Sequence, residues 1–175
     1  MFMKYKQKKQ YRLSAYDYSQ EGGYFVTICT KDKQIYFGDV VDGCMKLSRI
    51  GEIAKQFWLQ IPIHFKSVVL DEFVIMPNHI HGIILITDRR NVPRHVPTTG
   101  IRPLAKDSLS SIINHYKGNV RRWCNKNGFE PFSWQPRFYD HVIRDEKSLS
   151  KIRQYITNNP PKWEIDKNNV ENLYM

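Results

Sequence analysis

The chain has 175 residues, 41% of them hydrophobic, with 27 Lys and Arg against 17 Asp and Glu for a formal charge of +10. That length suits one domain with a proper core, and the charge favours a polyanionic partner, nucleic acid before an anionic membrane surface. No apolar run approaches the roughly 18 residues of a membrane span, and Cys29, Cys44 and Cys124 fit neither a disulfide framework nor a zinc knuckle. A soluble, cytoplasmic protein with reduced, partly buried thiols and no membrane partner is expected.

Residues 1–20 read as a basic arm, in which Lys4, Lys6, Lys8, Lys9 and Arg12 could lie along phosphates. After "EGG", the run "YFVTICT" (Tyr24 to Thr30) has the alternation and β-branching of a strand, and "VVDGCMKL" reads as a hairpin turning at Asp42-Gly43. Ser48 can cap a helix to about Ile61, with Ile50, Ile53, Ala54, Phe57, Trp58 and Ile61 on one face. "SVVLDEFVIMP" and "HIHGIILIT" then predict adjacent antiparallel strands at the centre of a sheet.

From 88 to 106 four helix-breaking residues, Pro93, Pro97, Gly100 and Pro103, interrupt any regular element, while Arg89, Arg90, Arg94, Arg102 and Lys106 keep a flexible loop basic. Asp107 is the expected N-cap of a long helix to about Asn125, with its apolar stripe on Leu109, Ile112, Ile113, Tyr116, Val120, Trp123 and Cys124, and Lys117, Arg121 and Arg122 off that stripe. "RFYDHVIRD" predicts a further strand, and Asp145 a final helix that Pro160-Pro161 should end. Residues 21–166 form the expected single domain and 167–175 a tail. The mixture is α+β rather than doubly wound, and nothing resembles a P-loop or GxGxxG.

Two residues apart on a strand, His79 and His81 project from one face. Two imidazoles in an apolar run both need partners, and a shared metal ion would satisfy them, although spacing alone leaves metal ligation and a structural role evenly matched. On the final helix Tyr155 and Asn159 stand one turn apart, beside the face formed by Leu149, Ile152 and Ile156. Asn159 precedes a proline, which disfavours helical geometry there, so its amide is expected at a fraying helix end, free to act as ligand or cap. Tyr139 is a rival nucleophile without such a partner, and His141 shares its strand face.

The HxH strand, "WQPRFYDHVIRD" (Trp134 to Asp145) and "IRQYITNNPPKW" (Ile152 to Trp163) together resemble the REP-associated tyrosine transposases, a branch of the single-tyrosine HUH (IS200-like) transposases. The likeness extends through "YDYSQEGGYFVTICT", "LDEFVIMPNHIHGIIL" and "SLSSIINHYKG", roughly Tyr11 to Asp166. It implies a ferredoxin-like fold, a central antiparallel sheet with helices packed on one face. It further implies His79, His81 and Asn159 as ligands of Mg²⁺ or Mn²⁺, Tyr155 as nucleophile, and single-stranded DNA with hairpins as substrate. The expected activity is cleavage and rejoining near palindromes through a 5′-phosphotyrosine, by a monomer or homodimer. Two nitrogens and an amide oxygen suit Mn²⁺ better than Mg²⁺. Competing readings are a hairpin-binding protein that does not cut and a hydrolytic metal phosphodiesterase. For DNA contact the candidates are the arm, the loop, Lys117, Arg121, Arg122, Arg137 and His141.

Overall fold

Tyr24, Val26 and Ile28 alternate with Phe25, Thr27 and Cys29 along the first strand, β1 (Gly22–Cys29), and every one of the six is buried. A strand buried on both faces must lie inside a sheet covered on both sides. The computed structural model, which describes residues 17–87 and 107–166, shows that sheet and its two coverings.

The elements that follow are the hairpin β2 (Gly38–Val41) and β3 (Cys44–Leu47), helix α1 (Arg49–Leu59) and the single turn α2 (Ile61–His64). Strands β4 (Val68–Met76) and β5 (His79–Ile86), helix α3 (Leu109–Lys126), strand β6 (Tyr139–Ile143) and helices α4 (Glu146–Thr157) and α5 (Asn159–Asp166) complete the order. The four long strands pair antiparallel in the order β4-β5-β1-β6, with β2 and β3 as a separate ribbon. This is the ferredoxin-like arrangement with a hairpin inserted after its first strand.

Local signals explain most of these boundaries. Asp42 and Gly43 both have positive φ, 52° and 70°, as a two-residue hairpin turn needs. Ser48 caps α1, its Oγ accepting from Gly51 N at 3.1 Å while donating to Tyr36 O at 2.6 Å.

Three expectations are corrected. The cap of α3 is Ser108, whose Oγ accepts from Ser111 N, because Asp107 takes φ 64°, outside the extended geometry an N-cap uses. Strand β4 is an edge rather than a central strand: a register shift between Leu70 and Phe73 accommodates Asp71 and Glu72, the charges that an edge tolerates. Pro160 and Pro161 do not end helical structure. The chain breaks at Asn158, which closes α4, and the two prolines sit in the first turn of α5, where a missing N–H costs nothing.

Helices α1 and α3 share one face of the sheet. There Trp58 and Tyr116 meet edge to face over Tyr24, Val26, Ile28, Ile80 and Ile84. Gly82 is required at this point, since a Cβ on it would come 2.3 Å from Trp58 Cζ2. Helix α4 crosses the other face, where Ile156 packs with Phe25 and Ile83, flanked by Leu149, Ile152 and Tyr155. The basic arm as far as Arg12, the loop with Arg89, Arg90, Arg94, Arg102 and Lys106, and the 167–175 tail lie outside the described residues.

Candidate active site

Strand register brings the site together. His81 pairs with Thr27 and His79 with Cys29 across β5 and β1, so all four side chains project from the face that α4 crosses. Both histidines are 1% exposed. Their Nε2 atoms approach to 3.0 Å, and each Nδ1 has a partner: Asn78 Oδ1 at 2.7 Å for His79, and Thr27 Oγ1 at 2.8 Å for His81.

These partners decide what the rings can do. The carboxamide of Asn78 is oriented by its other end, which donates to Lys33 O at 3.2 Å. Its oxygen can only accept, so His79 carries its proton on Nδ1 and turns an Nε2 lone pair inward. The Thr27 hydroxyl either donates or accepts, which leaves His81 free to donate Nε2–H to His79 or to present a second lone pair. Burial holds both imidazoles neutral, taking His79 down to about 3 with help from the Lys33 charge, and His81 well below its usual value with help from His79. Neutral rings with converging Nε2 atoms are the form that ligates a cation.

A separation of 3.0 Å matches the chord between ligands at right angles about 2.1 Å from a small divalent ion. The residues therefore fit such an ion. Among the described residues no group of three His, Cys, Asp or Glu side chains could hold a metal, so a further donor from among them would be of another type. Asn159, 7% exposed, is the first residue of α5. Trp163, one turn further on, brings its ring 6.0 Å from that of His79, so this side of α5 faces the pair.

Tyr155 reaches the pair from α4. Its hydroxyl lies 3.3 Å from His81 Nε2, and its ring meets those of His81 and Phe25 at 5.2 and 6.0 Å. Phe25 in turn stacks on His81 at 5.3 Å. The helix is fixed by a two-pronged bond from Arg153 to Asp71, Nε to Oδ1 at 2.9 Å and Nη2 to Oδ2 at 2.6 Å. The charged bulge of the edge strand thus anchors the helix that carries the tyrosine.

The remaining candidates separate by location. His141 pairs with Phe25 and Tyr139 with Thr27, which puts both on the histidine face; Tyr139 Oη accepts from Gln135 Nε2. His141 and Arg137 are exposed. Arg121 and Arg122 ride on α3, across the sheet from the histidines, and bond Ser133 and Asn119. Lys117 clasps the Gln135 and Pro136 carbonyls, and its partial burial lowers its pKa to about 8. Asn78 and Thr27 went unread in the sequence as partners of the pair. An Asn directly beside HxH is a local signal for the first, whereas Thr27 needs the strand register.

No family model matches the chain. An uncharacterized protein of Haemophilus influenzae strain Rd is 42% identical over 164 residues, covering 91% of each chain. A second protein of that strain, described as "Putative REP-associated tyrosine transposase", is 28% identical over 153 residues, 83% of this chain and 74% of the relative. Among solved structures, a REP-associated tyrosine transposase bound to a REP hairpin superposes with a TM-score of 0.56 at 20% identity, over 86% of this chain and 74% of that one. The last likeness is one of fold. No helix among the described residues is long and apolar enough to cross a membrane.

Proposed function

We propose that the chain is a REP-associated tyrosine transposase, a reading supported by its likeness to a relative so described, and that it cleaves and rejoins single-stranded DNA beside hairpins through a covalent bond to Tyr155. The observation that carries this reading is the approach of the Tyr155 hydroxyl to 3.3 Å from a nitrogen of the buried histidine pair. A tyrosine there can attack a phosphate lodged against the two rings.

Tyr155 Oη forms a bond to phosphorus, the P–O3′ bond breaks, the phenolic proton leaves to solvent, and the 3′ oxygen takes one up. Return attack by a DNA 3′-hydroxyl reverses the exchange without a nucleotide cofactor. Phe25 and His81 enclose the tyrosine ring, so its hydroxyl has little lateral freedom and the entropy of alignment is lost on folding rather than on reaction. Asn78 and Thr27 set the direction of the imidazoles. His79 and His81, with Asn159, would hold Mg²⁺ or Mn²⁺, which when bound polarises the phosphate and stabilises the leaving oxygen. Trp163 beside His79, and Tyr139 and the exposed His141 on the histidine face, are candidates for stacking and phosphate contact, with the exposed Arg137 a further candidate for phosphate contact.

Incubation with a hairpin-bearing single-stranded oligonucleotide and Mn²⁺ should yield a DNA-linked protein that survives denaturation. Tyr155→Phe should abolish it. An adduct of equal yield in that variant refutes the nucleophile, and multiple turnover without any adduct assigns the site to hydrolysis by water.

A further inference from the structure

The ladder between β1 and β6 is interrupted close to the histidines. Thr27 pairs with Tyr139 and Thr30 with Trp134, so four residues, Gln135 to Phe138, face only two, Ile28 and Cys29. Bulges of this kind re-aim side chains and are common next to active sites. Here the bulge lies alongside Cys29, the residue that pairs with His79 on the neighbouring strand.

Three hydrogen bonds hold Gln135 in this bulge. Its N–H donates to Cys29 O at 2.9 Å, its carbonyl accepts from Lys117 Nζ at 2.6 Å, and its Nε2 donates to Tyr139 Oη at 3.2 Å. Trp134 packs into the core shared with α1 and α3, so the next side chain turns to the opposite face, where Tyr139 and the histidines stand. The carboxamide is thereby fixed on the histidine face, two strand spacings or about 10 Å from β5. A group at that distance meets the nucleotide beside a phosphate at the histidines rather than the phosphate itself. Nε2 gives only one of its two N–H groups to Tyr139, and among the described residues Oε1 has no hydrogen-bond partner. A half-buried glutamine, ordered at three points and still presenting an acceptor next to a donor, has the pattern that pairs bidentately with adenine.

We propose that Gln135 is a specificity-determining residue, its carboxamide reading an unpaired adenine in the single-stranded DNA next to the scissile phosphate. Oε1 accepts from the adenine amino group and the second N–H of Nε2 donates to a ring nitrogen. The assignment rests on the strand-transfer reading for the identity of the ligand. Tyr139 is a positioning residue in this contact: by accepting from Nε2 it sets which end of the amide is the donor. Lys117 and Cys29 hold the backbone on either side, so little ordering of the glutamine remains to be done when DNA binds.

The test uses the full chain and a library of hairpin oligonucleotides randomised over the unpaired nucleotides that flank the stem. Capture by a Tyr155→Phe parent in Mn²⁺, followed by sequencing of the bound strands, should enrich adenine about 10-fold at one flank position. Gln135→Ala in the same background should lose that enrichment while the other positions keep theirs. Gln135→Glu, equal in size but without N–H groups, should lose it too, and Tyr139→Phe should reduce it. A glutamine that only held the bulge together would lower affinity for every sequence alike. That uniform loss, an unchanged profile in Gln135→Ala, or a parent with no adenine-enriched flank position overturns the proposal. Adduct formation by the wild type is read separately. An adduct together with an unchanged profile refutes Gln135 alone, whereas loss of the adenine position without any wild-type adduct upholds the base contact and refutes the tyrosine reading.

Discussion

Replacing Asn78 by alanine removes two hydrogen bonds at once. His79 Nδ1, in a ring only 1% exposed, loses its acceptor at 2.7 Å, and Lys33 O loses its donor at 3.2 Å. The first loss dominates, since a buried donor left unpaired costs about 1 to 3 kcal/mol, whereas the carbonyl on the turn can turn to water. The bonds from Thr30 run to the Asn78 backbone oxygen and survive the change, so the turn between β4 and β5 is kept. What goes is the constraint on ring orientation and tautomer, and losing such a partner typically reduces metal affinity about 10- to 100-fold. Calorimetric titration with Mn²⁺ should therefore show that drop in Asn78→Ala, alongside a stability loss of about 1 to 3 kcal/mol in urea melts. Asn78→Asp keeps an acceptor for His79 and gives up only the link to Lys33, so its Mn²⁺ affinity should stay near or above wild type. Binding by Asn78→Ala within twofold of wild type would show that the partner does not orient the ring.

Gly82→Ala should cost about 1 to 3 kcal/mol, because the new methyl collides with a buried tryptophan at 2.3 Å; an unchanged urea midpoint would mean that Trp58 moves freely. Arg153 holds the Asp71 carboxyl below its usual pKa. A depressed carboxyl contributes stability that is present above the unfolded value near 4 and lost as pH falls through the folded one. The melting difference between wild type and Asp71→Asn should accordingly be constant above about pH 5 and shrink below pH 4, and a difference that grows on acidification contradicts the pairing. Binding to the hairpin oligonucleotide should weaken with salt, with a slope of log K against log salt near about −3.5 if roughly five phosphates are neutralised. A flat dependence would count against a DNA partner.

What the sequence made legible was local. Two-residue alternation placed His79 and His81 on one face, Asp42-Gly43 announced its hairpin, and Ser48 and Asp145 announced their helices. The corrections came where neighbours in space outweigh neighbours in sequence. Asp107 and Ser108 are both good caps, and only backbone angle separates them. Strand β4 is apolar enough to look central because helices pack against it, yet the sheet continues beyond β5 through β1 and leaves β4 at the edge. Prolines after a helix usually mark its end, but a single residue, Asn158, was enough to let them begin another. Thr27 lies 54 residues from His81 and meets it only through strand register, so nothing local in the sequence marks it as a partner.

The two faces of the sheet differ in how firmly they hold what they carry. Helices α1 and α3 share a continuous core, whereas α4 sets Ile156 on Phe25 and Ile83, with Leu149, Ile152 and Tyr155 beside it, and is pinned by the Asp71–Arg153 pair. Regions held by few apolar contacts open at lower free energy than the whole molecule. Amide protons of α4 should therefore exchange through a partial opening, while those of β1 and β5 wait for global unfolding. A residue on α4 can then visit solvent in a molecule whose histidines never leave their frame. On the proposed reading, the tyrosine and the buried histidines are separable on the timescale of local breathing, and a strand joined to the tyrosine would be carried along with the helix.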